Sequence, residues 1–532
     1  MARILLVGEA TWLQTGYSTY ALQIARELVE AGHEVAEIAC YGDPNDPRRA
    51  NNSWPAFFIT EQSQSYPPAG FYNSQPAFGS SVFEEAVLGF MPDVVISARD
   101  PWTDAFISYS PVRPFFRWIY MHPVDGEPQD EEWIASVHQA DAVLAYSDYG
   151  VGVLSKYPGL KLAGVAAPGA ESSIFRPIEK ETARKTLGIP TEALVVGTVM
   201  RNQTRKLFPE LFQSFRKLLE QSPPHISRKL YLYCHTAWPD VGWDLPKYLI
   251  RNSISHRTLL TFGCRDCGRP FASLWQEPAS SCPFCRSGQV STPTVSLGLP
   301  REVMGAVYSS MDACVQYSVC EGFGMPQVES AYCGTPVFSV DHTAMGSVCR
   351  TLGGTLISVG RTYSEPETGR ILALPDNEEL VRKLSLFLSL PDPARRASGG
   401  RQREAALSSF SYAKAGSVWL EAIANLSPPS RSYNSSKINL PEPMRPSDAL
   451  TNYEWVEAAF ISSLGMSMSS AGYLGQRMVR DISRGYCDSQ FVSQYFCKPG
   501  PSSKMFGFDR DCAWKIFLAE RRRLEFWEGR RS

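Results

Sequence analysis

The stretch Glu321 to Val340, EGFGMPQVESAYCGTPVFSV, decides how the rest of the chain is read. The apolar run DACVQYS (312–318) ahead of it predicts a buried strand, and Gly322 and Gly324 predict a turn at that strand's carboxyl end. Pro326 suits a first helical position, where its missing N–H would have had no partner. Gly334 then ends a short helix before the strand PVFSV (336–340). Backbone N–H groups at such a helix start attract anions, and glycines let a ligand come close to the main chain. Carboxylates do not bind phosphate, but they accept hydrogen bonds from hydroxyls. Glu329, read as lying in the first helical turn, therefore suits a ribose diol, and Glu321 on the loop suits a sugar ring. The plainer alternative is that Glu329 complements the helix dipole and Glu321 is solvated. The surrounding glycines and proline favour the ligand reading, and a nucleotide sugar carries diol, diphosphate and sugar in that order.

A diphosphate also needs cations. The segment GTVMRNQTRKLFPEL (197–211) supplies Arg201 and Lys206, with Arg205 between, at a strand-to-helix junction. Basic residues before a helix are usually solvated. Their pairing with the glutamate block in one domain favours diphosphate binding.

Outward from these two segments the pattern is α/β. RILLVG (3–8), HEVAEIA (33–39), DVVISA (93–98), RWIYMH (117–122) and AVLAYS (142–147) read as buried strands. Leu22, Ala25, Leu28 and Val29 recur at helical spacing, and Gly32 stands where that helix should stop. Residues 1–180 thus form one doubly wound domain, with a loop-rich exception at 43–80, and 181–426 a second, opening with ALVVGTVM (193–200). A Pro- and Ser-rich linker (427–448) precedes a helical, aromatic tail at 449–532 that ends in Arg521, Arg522, Arg523, Arg530 and Arg531. At 532 residues, 44% hydrophobic and a net charge of -2, the composition is that of a multidomain globular protein without an overall field for nucleic acid or membranes. No run approaches the ~20 apolar residues of a membrane span. The chain is read as soluble, unexported and cytoplasmic, and its thirteen cysteines, diluted over this length, favour a reducing compartment.

These residues resemble the retaining GT-B glycosyltransferases of family 4, the glycogen-synthase and sucrose-synthase-like group. The resemblance rests on the block from Glu321 to Val337, on the basic segment, on PGAESSIFRP (168–177) at the domain junction and on GEATWLQTGYSTYALQIARELVEAGHEV (8–35). It implies the GT-B fold: two Rossmann-like domains facing a cleft, here with an inserted ribbon and a C-terminal helical extension. It also implies that Arg201 and Lys206 hold the donor diphosphate, and that Glu329 takes the ribose. Glu321 and the backbone of Gly322, Phe323, Gly324 and Met325 would face the donor sugar. His122 would contact that sugar from the amino-terminal domain, and Gly16 would lie over the phosphates. The reaction implied is sugar transfer with retention of anomeric configuration and no catalytic metal. Two departures stand out: a single glycine in the amino-terminal loop, and VDHTAMGSVC (340–349) where the family often has a Gly-Gly-x-x-Glu turn. Two rivals remain: an epimerase or hydrolase on the same fold, and a degenerate transferase acting as a binding module.

Cys264, Cys267, Cys282 and Cys285 form two C-x2-C pairs fourteen residues apart. That spacing predicts a structural, tetrahedral zinc site in a ribbon inserted at about 260–292. Acceptor binding, subunit contact and rigidity are all open roles for it. Asp100, at the end of a predicted strand, is an acceptor-side candidate, with an N-cap before Pro101 as the alternative. The acceptor stays undecided among a saccharide, a protein and a modified nucleic-acid base, as do the donor's base and sugar and the oligomeric state.

Overall fold

A computed structural model describes residues 1–59, 78–110, 113–275, 281–294 and 299–429. The predicted tail at 449–532 and most of the linker lie outside the described residues. In the amino-terminal half the apolar runs become seven strands: Arg3–Glu9 (β1), Glu34–Cys40 (β2), Ala56–Phe57 (β3), Val94–Ser97 (β4), Arg117–His122 (β5), Ala142–Ala145 (β6) and Leu162–Val165 (β7). They pair in parallel in the order β3-β2-β1-β4-β5-β6-β7. Such strands are buried on both faces, which is why they read as continuous apolar runs.

The second half forms another sheet from Leu194–Val199 (β8), Leu230–His235 (β9), Thr258–Cys264 (β10), Pro270–Leu274 (β11), Val290–Ser291 (β12), Ala313–Gln316 (β13), Val337–Val340 (β14) and Thr355–Ile357 (β15). Its order is β11-β10-β9-β8-β13-β14-β15, and β11 and β12 run antiparallel to β10. Each sheet reverses its winding beside its first strand, between β1 and β4 and between β8 and β13. In open α/β sheets, ligands bind at the carboxyl ends of the strands beside such a reversal. Every candidate residue other than the four cysteines and Glu329 lies at or just past such a strand end, or at the start of the helix that follows.

The helix Gly16–Glu30 starts because the Thr15 side chain accepts from Ser18 N at 3.1 Å, and it stops at Gly32, whose φ is +86°. Its inner face is made by Tyr20, Ile24, Ala25 and Leu28. Leu22 and Val29, predicted on that face, sit half-buried at its edge. The helix Phe208–Gln221 buries Phe208, Leu211, Phe212, Phe215 and Leu218, each worth roughly 1.5–3 kcal/mol of burial.

Among the described contacts between the halves, a helix and a hairpin stand out. The last described helix, Tyr412–Ala424, packs on the amino-terminal domain, where Trp419 Nε1 donates to Tyr20 Oη at 2.8 Å in a fully buried contact. A hairpin of Val359–Ser364 (β16) and Ile371–Pro375 (β17) reaches the same domain. There Arg370 is ion-paired with Asp125, and Ile371 N donates to Glu127 O at 2.8 Å.

Candidate active site in the interdomain cleft

Glu321 is the hub of the second domain's strand ends. It is 5% exposed, and both carboxylate oxygens are engaged: Oε1 by Lys206 Nζ and by Gln316 Nε2 at 2.9 Å, Oε2 by Arg205 Nη1 at 2.7 Å. Its backbone N–H donates to Thr343 Oγ1 at 3.1 Å. Burial pushes its carboxyl up, but Arg205 and Lys206 outweigh this and hold it at about 2. Lys206 moves the other way, down to about 8, through burial and the neighbouring Arg205, with Glu321 opposing. One carboxylate shared by two cations leaves a net positive charge at the carboxyl ends of β8 and β13, where a diphosphate would be welcome.

Arg201 stands at the end of β8 and is held bidentately by Asp240, at 2.9 and 3.0 Å. Its side chain is 44% exposed and stays accessible to a ligand. The helix after the glycine turn runs from Met325 to Tyr332, with Gly324 at its N-cap in the left-handed region at φ +92°, which favours glycine. Because the helix begins at Met325, one residue before Pro326, Glu329 lies just past its first turn, not within it as the sequence suggested. Tyr308 Oη donates to Glu329 Oε2 at 2.5 Å, and burial raises the Glu329 carboxyl. Phe323 points its ring into the core against Phe410, leaving only its main chain for a ligand.

The two domains approach one another at bare glycines. A Cβ on Gly16 would lie 3.6 Å from Met325 Sδ, and one on Gly322 would lie 3.6 Å from Pro123 Cβ, next to His122. His122, at the end of β5, is fully buried and shares a 2.8 Å hydrogen bond between its Nε2 and Gln129 Oε1. Gln129 Nε2 donates to Gly126 O at 2.5 Å, so its amide oxygen accepts and His122 Nε2 carries the proton. His122 Nδ1 is then a buried acceptor with no partner among the described residues. Burial outweighs the Gln129 bond and pulls the imidazole down to about 4, so the ring is neutral at ordinary pH.

Asp100 occupies the N-cap position of the helix Pro101–Tyr109 but makes no side-chain cap. Instead it accepts from Tyr17 Oη at 3.0 Å. Burial, then Asp125, raise it to about 6 against the opposing Tyr17 bond and Arg205. These shifts fix an expected pH profile. Activity should fall below about pH 6 as Asp100 takes up a proton, with no step from His122 between pH 6 and 7.5. The acid limb of kcat/KM should persist in His122→Asn and disappear in Asp100→Asn; the reverse pattern would refute the assignment.

The four cysteines converge as the spacing predicted. Their sulfurs all lie within 4.8 Å of one another, with Cys264 to Cys285 at 3.5 Å and Cys267 to Cys282 at 3.7 Å. A disulfide would need about 2.05 Å. Metal–sulfur bonds of about 2.3 Å in a tetrahedron put sulfurs roughly 3.8 Å apart, so the set fits a tetrahedral zinc ion.

Among site residues, Asp240, Gln316, Tyr308, Thr343, Tyr17 and Gln129 were not picked out from the sequence. Asp240 and Gln129 lie in loops, Gln316 ends β13, and Tyr17, Tyr308 and Thr343 lie in helices; each is a single polar residue with no motif around it, and the tertiary fold brings it to its partner.

No protein-family model matches the chain. Curated relatives named D-inositol 3-phosphate glycosyltransferase do match. The protein of that name from Thermobispora bispora is 26% identical over 261 residues, 49% of this chain and 50% of that protein. The one from Corynebacterium urealyticum is 27% identical over 206 residues, 38% of this chain and 41% of that protein. The chain thus spans about half the length of the curated relatives it matches. Among solved structures, sucrose-phosphate synthase from Thermosynechococcus elongatus superposes with a TM-score of 0.59 at 17% identity, covering 80% of this chain and 100% of that one. Anabaena HepE in complex with UDP-glucose gives a TM-score of 0.55 at 14% identity, covering 80% and 100%. The fold is the GT-B fold, and the sequence likeness is to glycosyltransferases of the family 4 type.

Proposed function

We propose that the protein transfers a sugar from a nucleotide-sugar donor to a hydroxyl acceptor with retention of anomeric configuration. The observation that carries this reading is the set of cations at the strand ends of one domain, Arg205 and Lys206 on Glu321 and Arg201 on Asp240, with Gly16, His122 and Asp100 at the strand ends and helix start of the other. The names of the sequence relatives and the UDP-glucose bound to HepE support it, and they make UDP-sugars the first donors to test.

In this reading Arg201 and Lys206 bind the diphosphate, and Glu329, fixed by Tyr308, accepts from the ribose hydroxyls. The main chain from Gly322 to Met325 lies along the sugar, with His122 Nδ1 accepting from one of its hydroxyls. The acceptor enters beside Asp100 and Tyr17. As the bond from the anomeric carbon to the diphosphate oxygen breaks, the acceptor oxygen bonds to that carbon from the same face. The acceptor's proton passes to the departing diphosphate oxygen, whose charge Arg201 and Lys206 stabilise. That step calls on no metal ion. The cysteine cluster would hold a structural zinc. The ten cysteines among the described residues are all unpaired, which supports a reducing, cytoplasmic setting, and none of the described helices is long and apolar enough to cross a membrane.

The test is a thermal-shift and turnover screen against a nucleotide-sugar panel, with Glu329→Ala and Arg201→Ala beside the wild type. One donor should stabilise the wild type. Loss of a charge-assisted contact in Arg201→Ala should weaken it about 10- to 100-fold. Stabilisation by no donor would overturn the reading, and donor turnover without any acceptor would favour the hydrolase or epimerase.

A further inference from the structure

The ribbon is absorbed by none of the chemistry above, yet its hydrogen bonds lead to the diphosphate site. Its return strand β12 pairs with the end of β10, Cys264 opposite Val290, so the strand is registered on a cluster cysteine. Arg265 N donates to Gln289 O at 2.9 Å just beyond that pair. Thr292 follows β12 and is 4% exposed. Its hydroxyl accepts from Trp238 N at 2.9 Å and donates to Trp238 O at 2.7 Å, so one side chain ties down both backbone groups of that residue. The Trp238 ring also meets Trp275, one residue beyond β11, edge-on at 4.6 Å between centroids.

The same segment is fastened on its other side to the basic loop. Asp240, two residues past Trp238, holds Arg201 bidentately. Trp243 N donates to Asn202 Oδ1 at 2.8 Å, and Asn202 Nδ2 donates to Trp243 O at 2.8 Å. Trp243 Nε1 donates to Lys206 O at 2.7 Å. Residues 238–243 are thus a bracket, with the ribbon on one side and the loop carrying Arg201, Arg205 and Lys206 on the other. A bidentate carboxylate orients an arginine only as well as its own backbone is held.

We propose that the ribbon positions the diphosphate cations, with Thr292, Trp238 and Asp240 as positioning residues, so that metal binding at the four cysteines and donor binding at Arg201 are energetically coupled. The proposal rests on the donor-site reading above and adds a reason for the insert. Coupling between two sites is reciprocal: donor should tighten metal binding by the factor by which metal tightens donor binding.

The experiment uses the full chain, with hydrogen exchange measured before and after zinc chelation and UDP affinity measured in parallel. Chelation should raise exchange in 236–243 and 199–206 together with the ribbon, and should weaken UDP about 5- to 50-fold. UDP should in turn slow zinc transfer to a competing chelator. Thr292→Val, which keeps all four cysteines, should raise the donor KM several-fold with kcat within about twofold, and Thr292→Ser should restore it. Exchange confined to the ribbon, with unchanged UDP affinity in Thr292→Val, would overturn the coupling. If wild type binds UDP and no sugar donor turns over, the functional reading fails while the coupling is still decided. If it binds no nucleotide at all, the exchange pattern alone decides between a bracket and an independent ribbon.

Discussion

Replacing Lys206 with methionine is expected to lower kcat/KM for the donor by about 10²- to 10³-fold, the loss typical of removing one preorganised stabilising group from a transition-state site. Methionine keeps an unbranched apolar side chain of similar length and removes the cation. Lys206 is tied to Glu321 through one of its three N–H donors, leaving two for phosphate oxygens. The pH dependence gives a second readout. Lys206 releases its proton near pH 8 in the free protein, and the protonated form is the one that attracts diphosphate. The kcat/KM of the wild type should therefore fall as pH rises through about 8. Lys206→Arg, which keeps its charge far above that pH, should flatten this limb even at lower overall activity. A loss below about tenfold in Lys206→Met would leave Arg201 and Arg205 as the working cations.

Glu321, Lys206 and the glycine turn were visible in the sequence because their signals are local. Glycine and proline punctuate a strand-to-helix junction, and the basic run sits at another. That Glu321 and Lys206 form an ion pair was not visible, since 115 residues separate them and only the adjacency of β8 and β13 brings them together. The same holds for Asp240, which reads as an ordinary loop aspartate until the sheet order sets it against Arg201. Glu329 was placed one residue too early in its helix because Pro326 marks a helix start only to within a residue or two; the left-handed Gly324 sets it. The helix Tyr412–Ala424 was not singled out in the sequence, which does not say which domain it covers. Its apolar face would suit either, and Trp419 with Tyr20 decides for the first. The cysteine spacing was the strongest signal, since four thiols on two knuckles have few ways to converge. Its link to the donor site was hidden, because a threonine in a return strand carries no pattern.

Asp312→Ala should destabilise the second domain by about 3–5 kcal/mol, the cost of leaving a buried cation without its partner. Asp312 Oδ2 accepts from Arg184 Nη2 and from Val195 N, both at 2.8 Å, while Oδ1 accepts from Lys180 Nζ at 2.7 Å. The side chains of Asp312 and Arg184 are 2% and 4% exposed. Asp312 N also donates to Val195 O at 2.7 Å, so this residue closes both backbone groups of Val195 at the start of β13. Removing the carboxylate breaks one of those links and leaves the Arg184 guanidinium with hydrogen bonds to the carbonyls of Ser310 and Thr191 and only the more distant Asp392 as a counter-charge. Asp312→Asn keeps an acceptor for Val195 N and should cost less. Denaturant titration of the second domain's transition measures both, and a loss below about 1 kcal/mol for alanine would show that the ion pair is replaced by water. The proposed donor crevice lies at the opposite, carboxyl end of the same two strands. Folded Asp312→Ala should therefore bind donor as the wild type does. A parallel loss of affinity would mean that the register of β8 on β13, set at one end by Asp312, fixes the spacing of Lys206 and Glu321 at the other.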